Sequence, residues 1–575
     1  MRNALFIVVY LLIFSKINPQ FLRFLQQNSS TNSYDYSNYN AKSINENLTS
    51  KTLESTTKDE SVVYITKSGI SINNSNIKKS SGDSSNIENS EFYGVNAAVL
   101  VQGGESTITG GTITTSAKGS NAICATNKGT VTISGTIITS TASGSARGLH
   151  STFGGKISAS NVEISTKGGS CATLATDRGE GTVSCMGCKL STEGAGSPLI
   201  YSTGDISVSK STGISTGAQM VVVEGKNVAN VLENSELKCN GIGNRKNIDK
   251  CGVMLYQSMS GDAASGTSSF NCKNSKMEIL SSSSVYNSAP MFFITNTDSV
   301  INLESCSFSY GSKIFLNAQG TSEWGNTGTN GGVVTVNLKN QIIEGDFIVD
   351  SYSGVTINLI NSQIKGTFNK EKTAAKLVIN LDKDSSIILT GDSYYTSMTN
   401  EDNSGENIDY GSYTLSKYDE KEISRNSGNQ GSNQPKTPQN GNDNPSNGSN
   451  NSQNGNNSPP NGNMPPNGSN GNMPPNGNNG NMPPNGSDGN MPPNGSNGNM
   501  PPNGNNGNIP PIGSNGNMPS NGSGNPPNEN ILINRIKTEE EEDEEFIEKY
   551  FSGEKYLNLS FLLFFIILIW LFYFI

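Results

Sequence analysis

A unit of about 22–26 residues recurs through the middle of the chain, and this repeat most constrains what the chain can fold into. Each unit holds three short runs rich in β-branched residues, separated by Gly, Asn or Ser. The clearest units begin at Thr130-Val-Thr-Ile-Ser, Lys156-Ile-Ser-Ala-Ser and Thr182-Val-Ser-Cys. Three strands per unit is the cross-section of a parallel β-helix, in which each strand pairs with its equivalent one rung on, at about 4.8 Å.

The pattern within the runs favours the same fold. Val131 and Ile133 alternate with hydroxyl residues, which predicts one buried and one exposed face. A narrow core stacked from such strands explains a hydrophobic content of only 33%. Asparagine recurs where the second strand begins, and it tolerates the left-handed conformation of a tight corner. The asparagines are Asn89, Asn161, Asn234, Asn274 and Asn361, and Gly135 and Gly187 fill the same slot.

We therefore predict an all-β fold, with a single right-handed parallel β-helix of three strands per rung over residues 62–395. Residues 26–61 are Asn/Ser-rich without a period and are predicted to be disordered. Residues 396–530 are predicted to form a disordered stalk. It contains a nine-residue Asn/Gly/Met/Pro repeat starting at Asn461, in which Pro and Gly prevent a packed core.

The two ends of the chain indicate secretion and membrane attachment. Residues 1–25 begin with Arg2 and a short apolar run, as a signal peptide does. An acidic juxtamembrane segment, 531–556, precedes an apolar tail, 557–575. The tail is either a transmembrane helix or a GPI-attachment signal with Ser552 or Gly553 as the attachment residue. The expected location is the extracellular face of the plasma membrane.

All eight cysteines lie between Cys124 and Cys306, within the predicted folded part. Secretion would place them in an oxidising compartment. Cys239 and Cys251 flank an insertion in the repeat, so we predict a disulfide between them. The Cys185-x-x-Cys188 pair has no second pair at metal-binding spacing and does not indicate zinc or redox chemistry.

Two counts exclude classes of function. The net charge of −10 argues against a nucleic-acid partner. His150 is the one histidine, which removes most histidine-based catalysis and metal binding.

The asparagine-cornered rung resembles right-handed β-helix proteins of the pectate-lyase-like class. Four segments are more closely similar to uncharacterised β-helix proteins of gut and rumen clostridia, some of which bind plant polysaccharide. These segments begin at Ala175, Ile200, Val223 and Val253. The resemblance covers about residues 62–395 and implies no catalytic residues.

Candidate ligand-binding residues come from the ends of the third strands. We align Ile123, Leu149, Thr173, Ile200, Val221, Leu255 and Phe293 as an inward column, with polar residues following on the outer surface. A shift of one residue in this alignment would exchange inside and outside. The candidates are Asp177, Arg178, Glu180, Tyr201, Asp205, Glu224, Lys226, Tyr256, Asp262 and Asp298.

Several functions fit these residue types. Tyrosine rings can stack on sugars while polar groups fix hydroxyls or a calcium ion, which predicts binding of an extracellular polysaccharide or glycan in adhesion or recognition. A membrane-tethered lyase or hydrolase would use carboxylates on calcium and Lys226 or Arg178 as the base. Alternatively, these charged residues bind no ligand and only terminate strands, and the protein is a structural component of a surface coat. Oligomeric state is not predicted.

Overall fold

The computed structural model describes residues 34–244 and 248–424. Within them the chain winds through long parallel sheets, and each strand pairs with the equivalent strand of the next rung. This confirms the prediction of a nearly all-β parallel solenoid with three strands per turn over most of its length.

Sheet A has 12 strands. They are Ala41–Ile44 (β1), Ser61–Ile65 (β4), Val99–Gln102 (β7), Ile123–Thr126 (β10), Leu149–Ser151 (β13), Leu174–Thr176 (β16), Ile200–Ser202 (β19), Val221–Glu224 (β22), Val253–Tyr256 (β25), Phe292–Thr295 (β28), Ile314–Ala318 (β31) and Asp346–Val349 (β34).

Sheet B has 14 strands. They are Leu48–Thr49 (β2), Ile70–Asn73 (β5), Glu105–Thr109 (β8), Thr130–Ser134 (β11), Lys156–Ser160 (β14), Thr182–Met186 (β17), Asp205–Ser209 (β20), Val228–Leu232 (β23), Thr267–Lys273 (β26), Asp298–Glu304 (β29), Val333–Lys339 (β32), Gly354–Ile360 (β35), Lys376–Leu381 (β37) and Ser397–Asn400 (β40).

Sheet C has ten strands, and a four-stranded sheet D and a two-stranded sheet E lie at the C-terminal rungs. Sheet C comprises Thr52–Ser55 (β3), Asn76–Lys79 (β6), Thr112–Thr115 (β9), Ile137–Ser140 (β12), Glu163–Thr166 (β15), Lys189–Thr192 (β18), Thr212–Ser215 (β21), Glu236–Cys239 (β24), Lys276–Ile279 (β27) and Ser307–Ser309 (β30). Sheet D comprises Ile342–Glu344 (β33), Gln363–Gly366 (β36), Ser386–Leu389 (β38) and Ile408–Asp409 (β41). Sheet E pairs Ser393–Tyr395 (β39) with Leu415–Lys417 (β42).

One continuous core runs along the coil. Val131 stacks on Ile157, which in turn stacks on Val183, because consecutive strands of sheet B pair in register. The hydroxyl residues between them face outward, as the alternation predicts. Each rung therefore adds only a few apolar side chains to a core that is shared along the whole solenoid.

The corners after the sheet B strands are left-handed, as predicted. Asn161, Asn234, Asn274 and Asn361 have φ of 52°, 60°, 49° and 45° there. Gly135 and Gly187 occupy the same position at 61° and 66°. Asn89 is an exception, because it lies inside the short helix Ile87–Tyr93 (α1). The side chain of Asn86 caps that helix and Gly94 ends it at φ 70°.

The strands extend beyond the predicted bounds at both ends. Strands β1 to β3 lie within residues 26–61, the segment predicted to be disordered, and β40 to β42 lie within the predicted stalk. A terminal rung contributes as few as one buried apolar residue per strand, such as Leu48 in β2, so it shows no period of its own.

The predicted register of sheet A was wrong at several positions. Ile123, Leu149, Ile200 and Val221 do share one column, but its other members are Leu174, Val253 and Phe292. Thr173 and Phe293 are therefore not in that inward column, and Leu255 lies two residues further along. Insertions of unequal length between rungs shift the alignment. A shift of one residue exchanges the inward-facing and outward-facing side chains of a strand.

The predicted disulfide between Cys239 and Cys251 was also wrong. Both side chains are buried free thiols, Cys239 in the core of the coil and Cys251 in a separate apolar cluster with Phe293 and Trp324. The disulfide instead joins Cys272 to Cys306, whose Cα atoms are 6.4 Å apart on adjacent rungs. Stacking of rungs, not the flanking of an insertion, brings the paired thiols together.

Several sequence predictions fall outside the described residues. They are the signal peptide 1–25, the stalk beyond residue 424, the acidic segment 531–556, Ser552, Gly553 and the tail 557–575. Among the residues that the structure does describe, no helix has the length and apolar character needed to cross a membrane.

Candidate functional site

Most of the predicted site residues lie on the outer face of sheet A, which insertions cover. Two columns of side chains point outward there, one including His150, Tyr201 and Phe293 and the other including Asp177 and Glu224. Helix α1 packs over the N-terminal rungs, and residues 257–266 and 319–332 lie over the middle ones. We call this surface the covered face.

Arg147 is the centre of a buried charge network on the covered face. Its Nη1 lies 2.8 Å from Asp177 Oδ2, and its Nη2 lies 3.7 Å from Glu91 Oε1 in α1. His150 Nε2 lies 2.6 Å from the carbonyl oxygen of Glu91, so this nitrogen carries the proton and donates it. The network fastens α1 to the sheet.

Burial sets the protonation of this network. Desolvation, aided by the positive charge of Arg147, lowers the pKa of His150 to about 3. Desolvation raises the pKa of Asp177 to about 6, although the Arg147 guanidinium opposes this shift. Desolvation also acts to lower the pKa of Arg147, but Asp177 and Glu91 outweigh it and the net shift is upward. His150 is therefore neutral and Arg147 charged at neutral pH.

Glu224 is the second buried acid of the covered face, with an exposed fraction of only 1%. Tyr201 and Tyr256 donate hydrogen bonds to its Oε2, at 2.5 and 2.7 Å. Ser258, in the 257–266 insertion, donates to its Oε1. Desolvation, together with the Glu224 charge, raises the pKa of Tyr201 well above its usual value, so its hydroxyl stays protonated and acts as a donor.

The remaining charges at this edge form ion pairs with one another. Arg178 Nη2 lies 2.7 Å from Asp262 Oδ1, and the Arg178 guanidinium sits 3.8 Å from the centre of the Phe92 ring. Lys226 Nζ lies 2.9 Å from Glu180 Oε1. Eight of the ten candidate residues therefore lie at this edge, where they form bonds to one another and not an open cleft, and their role in ligand binding stays a prediction.

Asp205 and Asp298 do not belong to this cluster. They begin strands β20 and β29 on the exposed side of sheet B. Asp205 accepts a hydrogen bond from Asn230 at 3.2 Å. In residues 34–244 and 248–424, no group of three or more His, Cys, Asp or Glu side chains is arranged to hold a metal ion, so the structure identifies no residues for the calcium ion considered above.

The outer face of sheet B carries a ladder of asparagines that sequence reasoning missed. From Asn271 onward, each Nδ2 donates to the Oδ1 of the asparagine one rung before, at 2.7–2.9 Å. Asn230 starts the ladder by donating to Ser207, and Thr399 ends it by donating to Asn380. The members of this amide ladder are Asn230, Asn271, Asn302, Asn337, Asn358 and Asn380.

A sequence signal for the ladder exists. The dipeptide Asn-Leu recurs at Asn302, Asn337, Asn358 and Asn380, with leucine entering the core and asparagine facing out. The same outward column continues toward the N-terminus with hydroxyl residues. They are Ser71, Thr107, Thr132, Ser158, Ser184 and Ser207. Every strand of sheet B after the first thus presents a hydroxyl or an amide in this column.

Two shallow grooves lie beside the ladder, at the corner where sheet B ends. One has a volume of about 340 Å³ and is lined by Asn234, Asn274, Ser275, Lys276, Ser305 and Ser307. The other, of about 320 Å³, is lined by residues that include Asn340, Asn361 and Asp384. Their linings are polar, so they extend the hydrogen-bonding surface of sheet B around the corner.

No family model, curated protein or solved structure matches this chain. The class that the structure defines is therefore a fold class, a parallel β-solenoid of the β-helix kind. The narrower resemblance to the pectate-lyase-like class and to clostridial proteins stays a prediction.

Proposed function

We propose that this protein is a cell-surface recognition or adhesion protein whose solenoid binds a carbohydrate polymer along the outer face of sheet B. The observation that carries the proposal is the unbroken outward column of hydroxyl and amide groups, which ends in the amide ladder. The resemblance to right-handed polysaccharide-binding β-helix proteins supports the same class of ligand.

The chemistry of the ladder supports a ligand rich in hydroxyl groups. A carboxamide has two N–H donors and an oxygen with two lone pairs. Each inner ladder amide uses one donor and one lone pair on its neighbours, which leaves the others of the half-buried Asn337 and Asn358 for a ligand, whereas Asn302 is buried. Because these groups repeat at about 4.8 Å along one axis, they suit a linear polymer with repeated hydroxyls.

The pairing of charges on the covered face favours binding over cleavage. A lyase needs a base with access to substrate and carboxylates available to a cation. Arg178 and Lys226 are both engaged by carboxylates, and Asp177 is buried against Arg147. The signal peptide and tail inferred from the sequence support placement at the extracellular surface, held by the membrane.

The test is a binding assay on the full-length protein in detergent. Pectin, polygalacturonate, xylan and cellulose are each incubated with it, with and without calcium. We expect at least one polymer to retain the protein in pull-down without any rise in absorbance from unsaturated products. The double variant Asn302→Leu/Asn337→Leu should lose this retention, and Asn403→Leu, at an exposed site outside the ladder, should keep it.

Other results would redirect the assignment. Retention that survives the double variant would move the site away from the ladder. A product lost in Lys226→Ala or Asp205→Ala would make the protein a lyase. Failure of every polymer would reject carbohydrate as the ligand and favour protein–protein adhesion or a coat role.

A further inference from the structure

Residues 257–266 cross the covered face and close over Glu224. This segment connects β25 to β26, yet it reaches back over earlier rungs. The Lys226 amide donates to the Ala264 carbonyl at 2.9 Å, and Asp262 pairs with Arg178 two rungs further back. Ser258 completes the set by donating to Glu224.

The segment is held mainly by polar contacts. Ala263 is buried, but Met259 has an exposed fraction of 53%. Gly261 and Gly266 have φ of 79° and 152°, a region that side chains disfavour, so the middle and the C-terminal end of the crossing are built on glycine. Segments with few buried apolar contacts open locally at low free-energy cost.

The two carboxylate oxygens of Glu224 differ in what holds them. Oε2 accepts from Tyr201 and Tyr256, which belong to strands β19 and β25 of sheet A. Oε1 accepts from Ser258, which belongs to the crossing segment. If the segment lifts, Oε1 loses its donor while the two tyrosines still orient the carboxylate.

We propose that residues 257–266 are a lid over a second binding site, and that the Ser258 hydroxyl occupies the place of a ligand hydroxyl on Glu224. The ligand class is a neutral sugar unit, because the site offers a carboxylate acceptor beside the half-buried Tyr256 ring, whose centre lies 5.4 Å from that of the buried Trp324 ring. The Arg178–Asp262 ion pair is the latch. The proposal shares with the proposed function only the assumption that the ligand is a carbohydrate.

Lid opening is tested without any ligand, by hydrogen exchange on the full-length protein. Asp262→Asn breaks the latch, so the Lys226 amide, which is bonded to Ala264, should exchange about fivefold faster or more. Glu233→Gln breaks a surface ion pair with Lys210 away from the lid and serves as the matched control. Equal exchange of the Lys226 amide in wild type and Asp262→Asn would overturn the latch.

Ligand binding is read from Trp324. The chain has two tryptophans, so a Trp570→Phe background leaves Trp324 as the one reporter. Cellohexaose and xylohexaose are titrated into this full-length protein. We expect a saturable fluorescence change for one of them, with a half-saturating concentration several-fold lower in Ser258→Ala and about tenfold higher or more in Glu224→Gln.

The proposal of polymer binding on the amide ladder and the proposal of a lid site at Glu224 can be rejected independently of each other. The Asn302→Leu/Asn337→Leu variant should leave the Trp324 response unchanged. Polymer retention with no Trp324 response to either sugar, even in Ser258→Ala, would reject the lid site and keep the ladder. A response that is unchanged by Glu224→Gln, in protein with wild-type melting temperature, would also reject it.

Discussion

At the scale of single residues, the covered face sets the charge state of the one histidine. His150 has a pKa of about 3 in the folded protein, against 6.5 for the ordinary group, because it is desolvated beside Arg147. The unfolded chain therefore takes up this proton first as the pH falls. Folding stability contributed by His150 is present above pH 6.5 and is lost progressively toward pH 3.

We expect this loss to amount to about 4–5 kcal/mol at 1.36 kcal/mol per pKa unit. Asp177, with a pKa of about 6, opposes part of it, because the folded protein protonates Asp177 first between pH 6 and 4. Urea unfolding of His150→Gln from pH 7 to 4 should show a weaker acid dependence than wild type. A ring NMR signal of His150 that titrates near pH 6.5 would contradict the prediction.

At the scale of elements, the amide ladder links strands that otherwise share only backbone bonds and core. Asn337 makes two ladder hydrogen bonds, to Asn302 and from Asn358. Each such hydrogen bond contributes about 0.5–1.5 kcal/mol to stability. Loss of both in Asn337→Leu should therefore lower the free energy of unfolding by about 1–3 kcal/mol. Denaturant unfolding should show little change for Asn403→Leu, and an equal loss in both variants would mean that the ladder contributes nothing.

The Cys272–Cys306 disulfide also acts between elements, because it ties β26 to the corner after β29. The two residues are 34 apart in sequence, so closing the loop should stabilise the fold by about 3–4 kcal/mol in the chain-entropy model. Cys272→Ser should lower the free energy of unfolding by that amount. Peptide mapping without reduction should recover the 272–306 link, and a link between Cys239 and Cys251 would contradict this pairing.

The sequence could predict those elements whose pattern repeats in every rung, but not contacts made by insertions that lack a repeat. The β-branched alternation around Val131 predicted the strands, because every rung repeats it. The meeting of Arg178 with Asp262 could not be predicted, because 84 residues separate them and the insertion carrying Asp262 has no period. The ladder was predictable in principle from its Asn-Leu dipeptides, but the sequence prediction used only the corner asparagines and the polar residues after the sheet A strands.

At the scale of the whole molecule, a solenoid whose strands pair only with those of neighbouring rungs should tolerate the loss of a complete rung. Residues 354–375 form one rung, since Val333, Gly354 and Lys376 are register partners on successive strands. Deleting them should leave a folded, shorter solenoid in which Asn337 meets Asn380. Deleting only residues 354–364 should abolish cooperative thermal unfolding by circular dichroism, and equal tolerance of both deletions would contradict rung-by-rung assembly.

The amide ladder also affects how a ligand would move once bound. A polymer segment that spans three rungs of this six-residue ladder can sit in four equivalent registers. Such degeneracy raises the apparent association constant about fourfold, or about 0.8 kcal/mol, without any new contact. Because neighbouring registers offer the same groups, a bound polymer could shift lengthwise by one rung at a time. This surface would then hold a fibre and still let it slide along the ladder.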